Sequence, residues 1–346
     1  MKRLLLVPFA ALLAAPLFAA HAALPETNAV LAGAAFIKST QAADGSYGTD
    51  SLGQNMDAVF AVRAAGYNPA KDQLDGKGPA DFLIANVSAV DTAAAASKAA
   101  MGAKALGLDP KSVGGVDLIA SVSQSLDAAD SSYLGDDFSQ SIALLGLACT
   151  GNAVPAKAVA ALQATAISDG GGWGFGGVAD PDITAITIQA LLASGVAAND
   201  AHVQAGLAYL KAHQGSDGGW GFDPTASNAN STAYVVQALL ALGENPDSAS
   251  YEKDGVTPVE FMLSQQQADG SFAGFDPAYA TNQVLPALAG RTYCNAVDTP
   301  ITRTRPVVEP TPTAGHTQAP ASPTTAPPTV APKPPSTGTG GGSTPA

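Results

Sequence analysis

Basic residues and aromatic residues are both scarce in this chain of 346 residues. It has 16 Lys and Arg against 29 Asp and Glu, which gives a formal net charge of −13, and only 6% of its residues are aromatic. Phosphate recognition draws on clustered Lys and Arg, so the composition argues against a nucleic-acid partner. With two Trp in all, the chain also has few ring faces that could surround a positively charged group.

Histidine and cysteine are rare as well, with four and two copies. His202 and His213 share a helix face, but eleven residues at about 1.5 Å each would hold them roughly 16 Å apart. They cannot share one ion, and neither a catalytic triad pattern nor a nucleotide-binding pattern is present. We therefore predict no metal site and no cofactor.

The N-terminus carries the signals of export. Two basic residues precede the apolar run LLLVPFAALLAAPLFAA, and Ala20-His21-Ala22 follows with a small-x-small pattern. The run is short for a bilayer span and is interrupted by two prolines. We expect a signal peptide at residues 1–22 and a mature chain without a transmembrane span, secreted or held at the cell surface.

The C-terminal residues 304–346 differ in composition from the rest. They are rich in Pro, Thr and Gly and offer almost no large apolar side chain to bury. Such a segment cannot fold on its own, so we expect a disordered stalk. The residues between the signal peptide and the stalk, 23–303, suffice for one large domain.

A turn motif of the form Gln-x-x-Asp-Gly-x-aromatic recurs in this middle region. It reads QAADGSYG from Gln41, ISDGGGWGF from Ile167, QGSDGGWGF from Gln214 and QQADGSF from Gln266, with a worn copy, DAADSSYLG, from Asp127. Asp-Gly predicts a tight turn, the aromatic side chain should pack under the next helix, and Gln can bond to backbone groups of the turn. We assign this structural role to Gln41, Asp44, Tyr47, Asp169, Trp173, Gln214, Asp217, Trp220, Gln266, Asp269 and Phe272.

Six apolar stretches rich in Ala and Leu each end in a glycine, at intervals of 41 to 48 residues. The glycines are Gly66, Gly107, Gly151, Gly195, Gly243 and Gly290. Glycine just past such a run is the usual left-handed C-cap of a helix. These helices are apolar around most of their circumference, which indicates burial on both sides.

A second helical stretch lies between successive members of this set. The stretches are 28–40, 78–89, 114–126, 155–167, 199–214 and 257–267. Six repeats of two helices predict an all-α domain, with an inner and an outer ring closed into an α6/α6 toroid. An open superhelical solenoid is the alternative for repeats of this length.

The repeats resemble those of the squalene cyclase and protein prenyltransferase superfamily. GLAYLKAH before QGSDGGWGF, and DITAITIQALLASG after ISDGGGWGF, carry the resemblance, which spans roughly 30–295. It implies a closed α6/α6 toroid. The zinc ligands of the prenyltransferases have no counterpart around Cys149 or Cys294, and the C-G-E-Q motif of complement-type thioester domains is absent.

The residues Asp180-Pro181-Asp182-Ile183-Thr184-Ala185 resemble the D-x-D-D-T-A signature of class II terpene cyclases. The middle Asp of that signature protonates an alkene or epoxide. Asp180 and Asp182 fall on its first two acids, whereas Ile183 replaces the third. In the alternative interpretation, Asp180 is an N-cap and Asp182 opposes the helix dipole. If the protein is an enzyme, the resemblance implies a terpene cyclase with Asp182 as general acid and Asp180 beside it.

Polar residues at the starts of the inner helices can instead converge on a small molecule at the mouth of the toroid. The predicted ligand site consists of Asp57, Asp137, Ser139, Gln140, Asp182, Thr184, Asn228, Asn230 and Asn282. We favour non-catalytic binding of a small ligand or cell-envelope partner over the cyclase. The second alternative is a carrier resembling transcobalamin, whose α6/α6 barrel precedes a β domain where this chain has its stalk.

The pairing of Cys149 with Cys294 is left open by the sequence. An exported chain usually pairs its cysteines. Cys149 ends the third inner helix and Cys294 follows the sixth, and opposed helices in a ring of six stand roughly 20 Å apart. A disulfide needs Cα atoms within about 7 Å. It can form only if the residues after Gly290 run across the end of the ring.

Overall fold

The computed structural model describes residues 24–303, except 50, 134, 169, 224, 225 and 275. The described residues all belong to one compact unit. The predicted signal peptide, the predicted stalk and Asp169 of the turn motif lie outside them. Within this part of the chain, no helix is both long enough and apolar enough to cross a bilayer.

Helices dominate the described residues, in agreement with the all-α prediction. In chain order they are α1 (Thr27–Ser39), α2 (Leu52–Ala64), α3 (Pro79–Asn86), α4 (Ala93–Leu106), α5 (Leu118–Gln124), α6 (Asp137–Cys149), α7 (Ala156–Ala164), α8 (Pro181–Ala193), α9 (Ala201–Ala212), α10 (Ala229–Ala241), α11 (Pro258–Ser264), α12 (Pro277–Leu288) and α13 (Tyr293–Val297). Short 3-10 turns lie at Pro69–Lys71 and Val87–Ala89. Strands β1 (Gly174–Phe175) and β2 (Val178–Ala179) form one antiparallel hairpin, with Gly174 opposite Ala179.

The even-numbered helices form the buried inner set. Each packs on the next along the chain from α2 to α12, and α12 packs in turn on α2. After α11, Gln266 Nε2 donates a hydrogen bond to Ala29 O in α1 at 2.9 Å, so the last repeat also touches the first. The first and last helices of the inner set are therefore neighbours, as a ring requires.

Close approach of the inner helices depends on small residues. A Cβ on Gly102 of α4 would collide with the Met56 side chain of α2, and one on Gly146 of α6 would collide with Ser97 of α4. Each of the six glycines predicted to end an inner helix has a positive φ, between 67° and 89°. The left-handed C-caps predicted from the sequence are confirmed.

The recurrent turn joins each outer helix to the inner helix that follows it. Trp173 and Trp220 are fully buried. Their indole Nε1 atoms donate to Leu162 O at 2.8 Å and Leu210 O at 2.7 Å, both on the preceding outer helix. The turn glutamines bond to the next repeat, as when Gln214 Nε2 donates to Tyr251 O at 2.6 Å. The turns therefore hold neighbouring repeats in register.

Helix α13 was not predicted from the sequence. The chain turns back at Gly290, and α13 then packs against α2, α4 and α6. This path brings Cys294 to Cys149 at the end of α6, and the two form a disulfide with their Cα atoms 4.8 Å apart. The chain thus spans the separation expected between opposed helices, because the returning segment packs across α2, α4 and α6.

The contact of Gln266 with Ala29 O yields a stability prediction. We expect Gln266→Ala to lower the free energy of unfolding by about 1 to 3 kcal/mol, because it removes the two hydrogen bonds from Gln266 Nε2 to Ala29 O and Gly270 O. Gln267→Ala is the matched control, since Gln267 is exposed, and it should change the value by no more than about 0.5 kcal/mol. Urea denaturation of the purified chain measures both. Equal losses in the two variants would contradict the assigned role.

The disulfide yields a second prediction. Thiol titration of the denatured, unreduced chain should find no free thiol, since its only two cysteines are paired. The Cys149→Ser/Cys294→Ser double variant should lose about 2 to 5 kcal/mol of stability, because the unfolded chain is no longer constrained. Two free thiols in the untreated protein would disprove the pairing.

Candidate functional site

The first turn of α8 separates the roles of Asp180 and Asp182. Asp180 is the N-cap, and its Oδ1 accepts from the backbone N–H of Asp182 at 2.8 Å and of Ile183 at 3.0 Å. Asp182 makes no such cap. Its Oδ1 is buried and has no hydrogen-bond partner among the described residues. Asp180 is therefore the helix cap, as the capping interpretation predicts. Asp182 Oδ1 has no such structural partner among the described residues.

The environment of Asp182 makes its carboxyl a weak acid. Burial, and then the nearby charge of Asp180, raise its pKa to about 7, while a hydrogen bond from the Ser231 side chain acts in the opposite direction. A carboxyl with this pKa is present in both protonated and ionised forms at neutral pH, so it can donate or accept a proton there. Burial is a tertiary property, and the sequence alone did not indicate this shift.

Asp182 occupies a register position that recurs in the next two repeats. In each of three turns an aromatic residue donates its backbone N–H to a threonine hydroxyl on the following inner helix, at 2.9 Å. These threonines are Thr184, Thr232 and Thr281. Two positions earlier stand Asp182, Asn230 and Tyr279. Two residues turn a helix by about 200°, so these three side chains face away from the turns. We call them the mouth residues.

The mouth residues have unusual polar environments. Asn230 Nδ2 is buried and, among the described residues, has no hydrogen-bond partner. The Tyr279 hydroxyl lies 3.5 Å from that of Tyr234. Burial raises the pKa of Tyr279, and the charge of Asp57 adds a smaller contribution that Lys98 opposes. Polar groups thus extend from the mouth towards the middle of the inner set.

The middle of the inner set is occupied by side chains. Asp57 of α2 forms an ion pair with Lys98 of α4 at 2.7 Å. Tyr293 of α13 donates its hydroxyl to Asp57 Oδ1 at 3.1 Å, and its ring packs edge-on against Phe60 at 5.6 Å between centroids. Burial raises the pKa of both Tyr234 and Tyr293 well above its ordinary value, so both stay neutral.

A small cavity lies beside Tyr293. Its volume is about 10 Å³, and Asp57, Phe60, Gln237 and Asn282 are among its lining residues. That volume is at the lower limit for one water molecule. Asn282 Oδ1, which was predicted to bind a ligand, is buried here with no partner among the described residues. Tyr293 was missed at the sequence level, since it follows the last repeat and has no counterpart in the others.

Three of the predicted ligand residues have their polar groups engaged within the fold. Gln140 Oε1 accepts from Tyr133 N–H at 2.7 Å, and its Nε2 donates to Ala158 O at 3.0 Å. The Thr184 hydroxyl bonds to both N and O of Trp173. Asn228 is the N-cap of α10 and accepts from Ser231 N–H at 2.8 Å. These three side chains therefore hold turns and helices in place.

The other predicted residues do not form one cluster. Asp57 and Asn282 line the small central cavity. Asp137, at the start of α6, accepts from Gly174 N–H at 3.4 Å, and burial raises its pKa. Ser139 is half-buried and uses its backbone N–H to bond to the N-cap Asp136. The mouth residues Asp182 and Asn230 are the predicted members whose buried polar atoms face away from the turns.

Residues 134–287 match the family model of the squalene-hopene cyclase C-terminal domain. This stretch includes Asp182, Asn230 and Tyr279 and stops before Tyr293. The match confirms the resemblance to the squalene cyclase superfamily that the repeats predicted. A search of curated proteins found no match.

Solved structures with similar folds include two terpene cyclases. The type II terpene cyclase MstE from Scytonema, in its apo form, is 15% identical with a TM-score of 0.49, over 76% of this chain and 97% of its own. The ent-copalyl diphosphate synthase from Streptomyces platensis is 16% identical with a TM-score of 0.49, over 69% of this chain and 50% of its own. A polysaccharide lyase is 11% identical with a TM-score of 0.41, over 77% and 89%. With each score below 0.5, these likenesses decide nothing about function.

The pKa of Asp182 predicts how stability depends on pH. The folded state keeps this proton up to about pH 7, whereas the unfolded chain releases it near pH 3.9. Stability should therefore be highest below that value and fall as pH rises towards 7, by at most about 1.4 kcal/mol per pH unit from this residue. Asp182→Asn should remove this part of the slope.

Urea denaturation between pH 4 and 8 measures the two slopes. Asp91→Asn is the control, because Asp91 is exposed and its replacement should leave the slope as in the unmodified chain. A slope shared by the unmodified chain and Asp182→Asn would show that Asp182 does not hold its proton in the folded state.

Proposed function

We propose that the protein is an exported, closed α6/α6 toroid, carried on the stalk of residues 304–346, that binds a small hydrogen-bonding ligand at its mouth without catalysis. The observation that carries the proposal is the pair of buried atoms without partners, Asp182 Oδ1 and Asn230 Nδ2. Buried polar atoms in folded proteins are nearly always hydrogen-bonded. A ligand with a hydrogen-bond donor for Asp182 Oδ1 and an acceptor for Asn230 Nδ2 would satisfy both atoms.

The arrangement around α10 supports one shared ligand. Helix α8 packs on α10, and the Ser231 side chain, next to Asn230, is close enough to lower the pKa of Asp182. Tyr279 holds the same register on α12 and offers a hydroxyl as a third polar group. Three neighbouring inner helices thus each supply one side chain. The protonated form of Asp182 would donate to a ligand oxygen, and its ionised form would accept from a ligand N–H or O–H.

The filled centre argues against cyclisation of a long polyene. The cavity beside Tyr293, of about 10 Å³, is far below the roughly 300 Å³ typical of small-molecule sites, so a polyene could not extend into this part of the centre. Ile183 stands where the cyclase signature has its third acid, so the acid pair that keeps the catalytic proton available is incomplete. Both Trp side chains are buried in turns and bond to outer helices, so they are not available to stabilise a carbocation.

A class II terpene cyclase is the second candidate. The pKa of Asp182, about 7, and the family match over residues 134–287 favour it. In that reaction the Asp182 carboxyl would transfer its proton to an alkene or epoxide and become a carboxylate that Ser231 can hydrogen-bond. No described residue bears on the carrier resembling transcobalamin, which stays a prediction.

Native mass spectrometry of the protein purified from its own source tests the binding proposal. We expect a retained small molecule, released on denaturation. The Asp182→Ala and Asn230→Ala variants should each fail to retain this molecule, because each lacks one of the polar groups that the ligand would hydrogen-bond. Asp91→Asn, at an exposed site, should keep it. Retention of the same molecule by both mouth variants would place the ligand elsewhere.

Incubation with squalene, oxidosqualene and shorter polyprenyl substrates separates the two candidates. We expect no cyclic product from the unmodified chain. A cyclic product that disappears in Asp182→Asn and persists in Asp91→Asn would overturn the binding proposal and establish Asp182 as a general acid, because an amide cannot deliver the proton.

A further inference from the structure

A second and much larger space opens at the opposite end of the inner helices. It is a groove of about 560 Å³ between the C-terminal ends of α6, α8 and α10 and the short helix α13. Ala193, at the last position of α8, lines it. Because Asp182 lies eleven residues earlier on the same helix, the groove is roughly 16 Å from the mouth. Its volume lies in the range of about 300 to 1,000 Å³ that is typical of small-molecule sites.

Gln189 gives this groove a buried hydrogen-bond donor. The residue lines the groove and is only 3% exposed. Its Oε1 accepts from the Tyr293 backbone N–H at 3.0 Å, which determines the orientation of the amide, since an N–H can only donate. The remaining amide nitrogen, Nε2, is buried and has no partner among the described residues. A buried donor without a partner costs free energy that a ligand oxygen would recover.

The other polar groups of the groove include donors and acceptors in a neutral setting, since Thr292 and Asn295 also line it. Lys104 Nζ donates to Cys149 O at 2.6 Å and pairs with Asp298 at 2.7 Å, so the charges at the rim balance. The last carbonyls of α8 and α10, at Ala193 and Ala241, border the groove where those helices end. Helix C-termini carry partial negative charge and oppose anions.

We propose that this groove binds a neutral, hydroxyl-rich small molecule of saccharide or polyol type. A hydroxyl both accepts and donates, so one such ligand can accept from Gln189 Nε2 and donate to the helix-end carbonyls. An apolar ligand would leave Gln189 Nε2 without a hydrogen bond. A cation would be repelled by the partial positive charge of the Nε2 hydrogens. The site is separate from the mouth and does not depend on the function proposed for Asp182.

Methyl NMR of the full mature chain tests the proposal, with glucose, maltose, trehalose and myo-inositol as probes. Leu145, Leu192 and Leu240 line the groove, and at least one probe should shift their methyl signals in a saturable way. Gln189→Met removes the donor and should weaken binding by about 3- to 10-fold. Ala193→Trp places a large side chain in the groove from an exposed position and should abolish the shifts.

Ala164→Trp on α7 is the matched control, because Ala164 is also exposed and lies on an outer helix away from the groove. It should bind as the unmodified chain does. The proposal is overturned if no probe shifts the groove leucines, if the shifts survive unchanged in Ala193→Trp, or if only a charged probe such as choline or acetate produces them. Should Gln189→Met fail to fold, the Ala193→Trp comparison still decides.

Discussion

The hydrogen bond from a turn aromatic to the first turn of the next inner helix is the contact on which the described fold depends. It recurs in five repeats, where Tyr47, Tyr133, Trp173, Trp220 and Phe272 donate their backbone N–H groups to Asn55, Gln140, Thr184, Thr232 and Thr281. Because the aromatic ring is buried and its backbone is bonded, each turn positions one outer and one inner helix together. The accepting side chain changes between amide and hydroxyl, but it is always the fourth or fifth residue of its helix.

This constraint also decides which polar side chains are available at the mouth. One polar residue on each of these inner helices is used by the turn, and helical geometry directs the residue two positions earlier to the other side. In the last three repeats that residue is polar, at Asp182, Asn230 and Tyr279. Helix starts alone do not distinguish the two positions, so the predicted ligand set combines Gln140 and Thr184 with Asp182.

The fold was predictable because its signals are local. Asp-Gly turns, buried aromatic residues and glycine C-caps each act within a few residues, and they recur at a regular interval. The candidate site was predictable only in part. The pKa of Asp182 depends on burial by other helices, and the filled centre depends on Tyr293, which arrives only because the chain turns back after Gly290. Neither effect is encoded in a pattern near the residue concerned.

The segment after the last repeat therefore determines which spaces remain between the inner helices. The inner helices leave a space at their centre, and α13, tethered to α6 by the disulfide, places Tyr293 in it, bonded to Asp57 and Gln189. The described part of the centre is then filled by Tyr293 and its partners, while Asp182, an acid with a raised pKa, stands in the first turn of α8. At the other end, the same helix forms one wall of the 560 Å³ groove. A single short helix thus fills the centre and forms a wall of the groove, because Tyr293 lines the small central cavity while Cys294 and Asn295 line the groove.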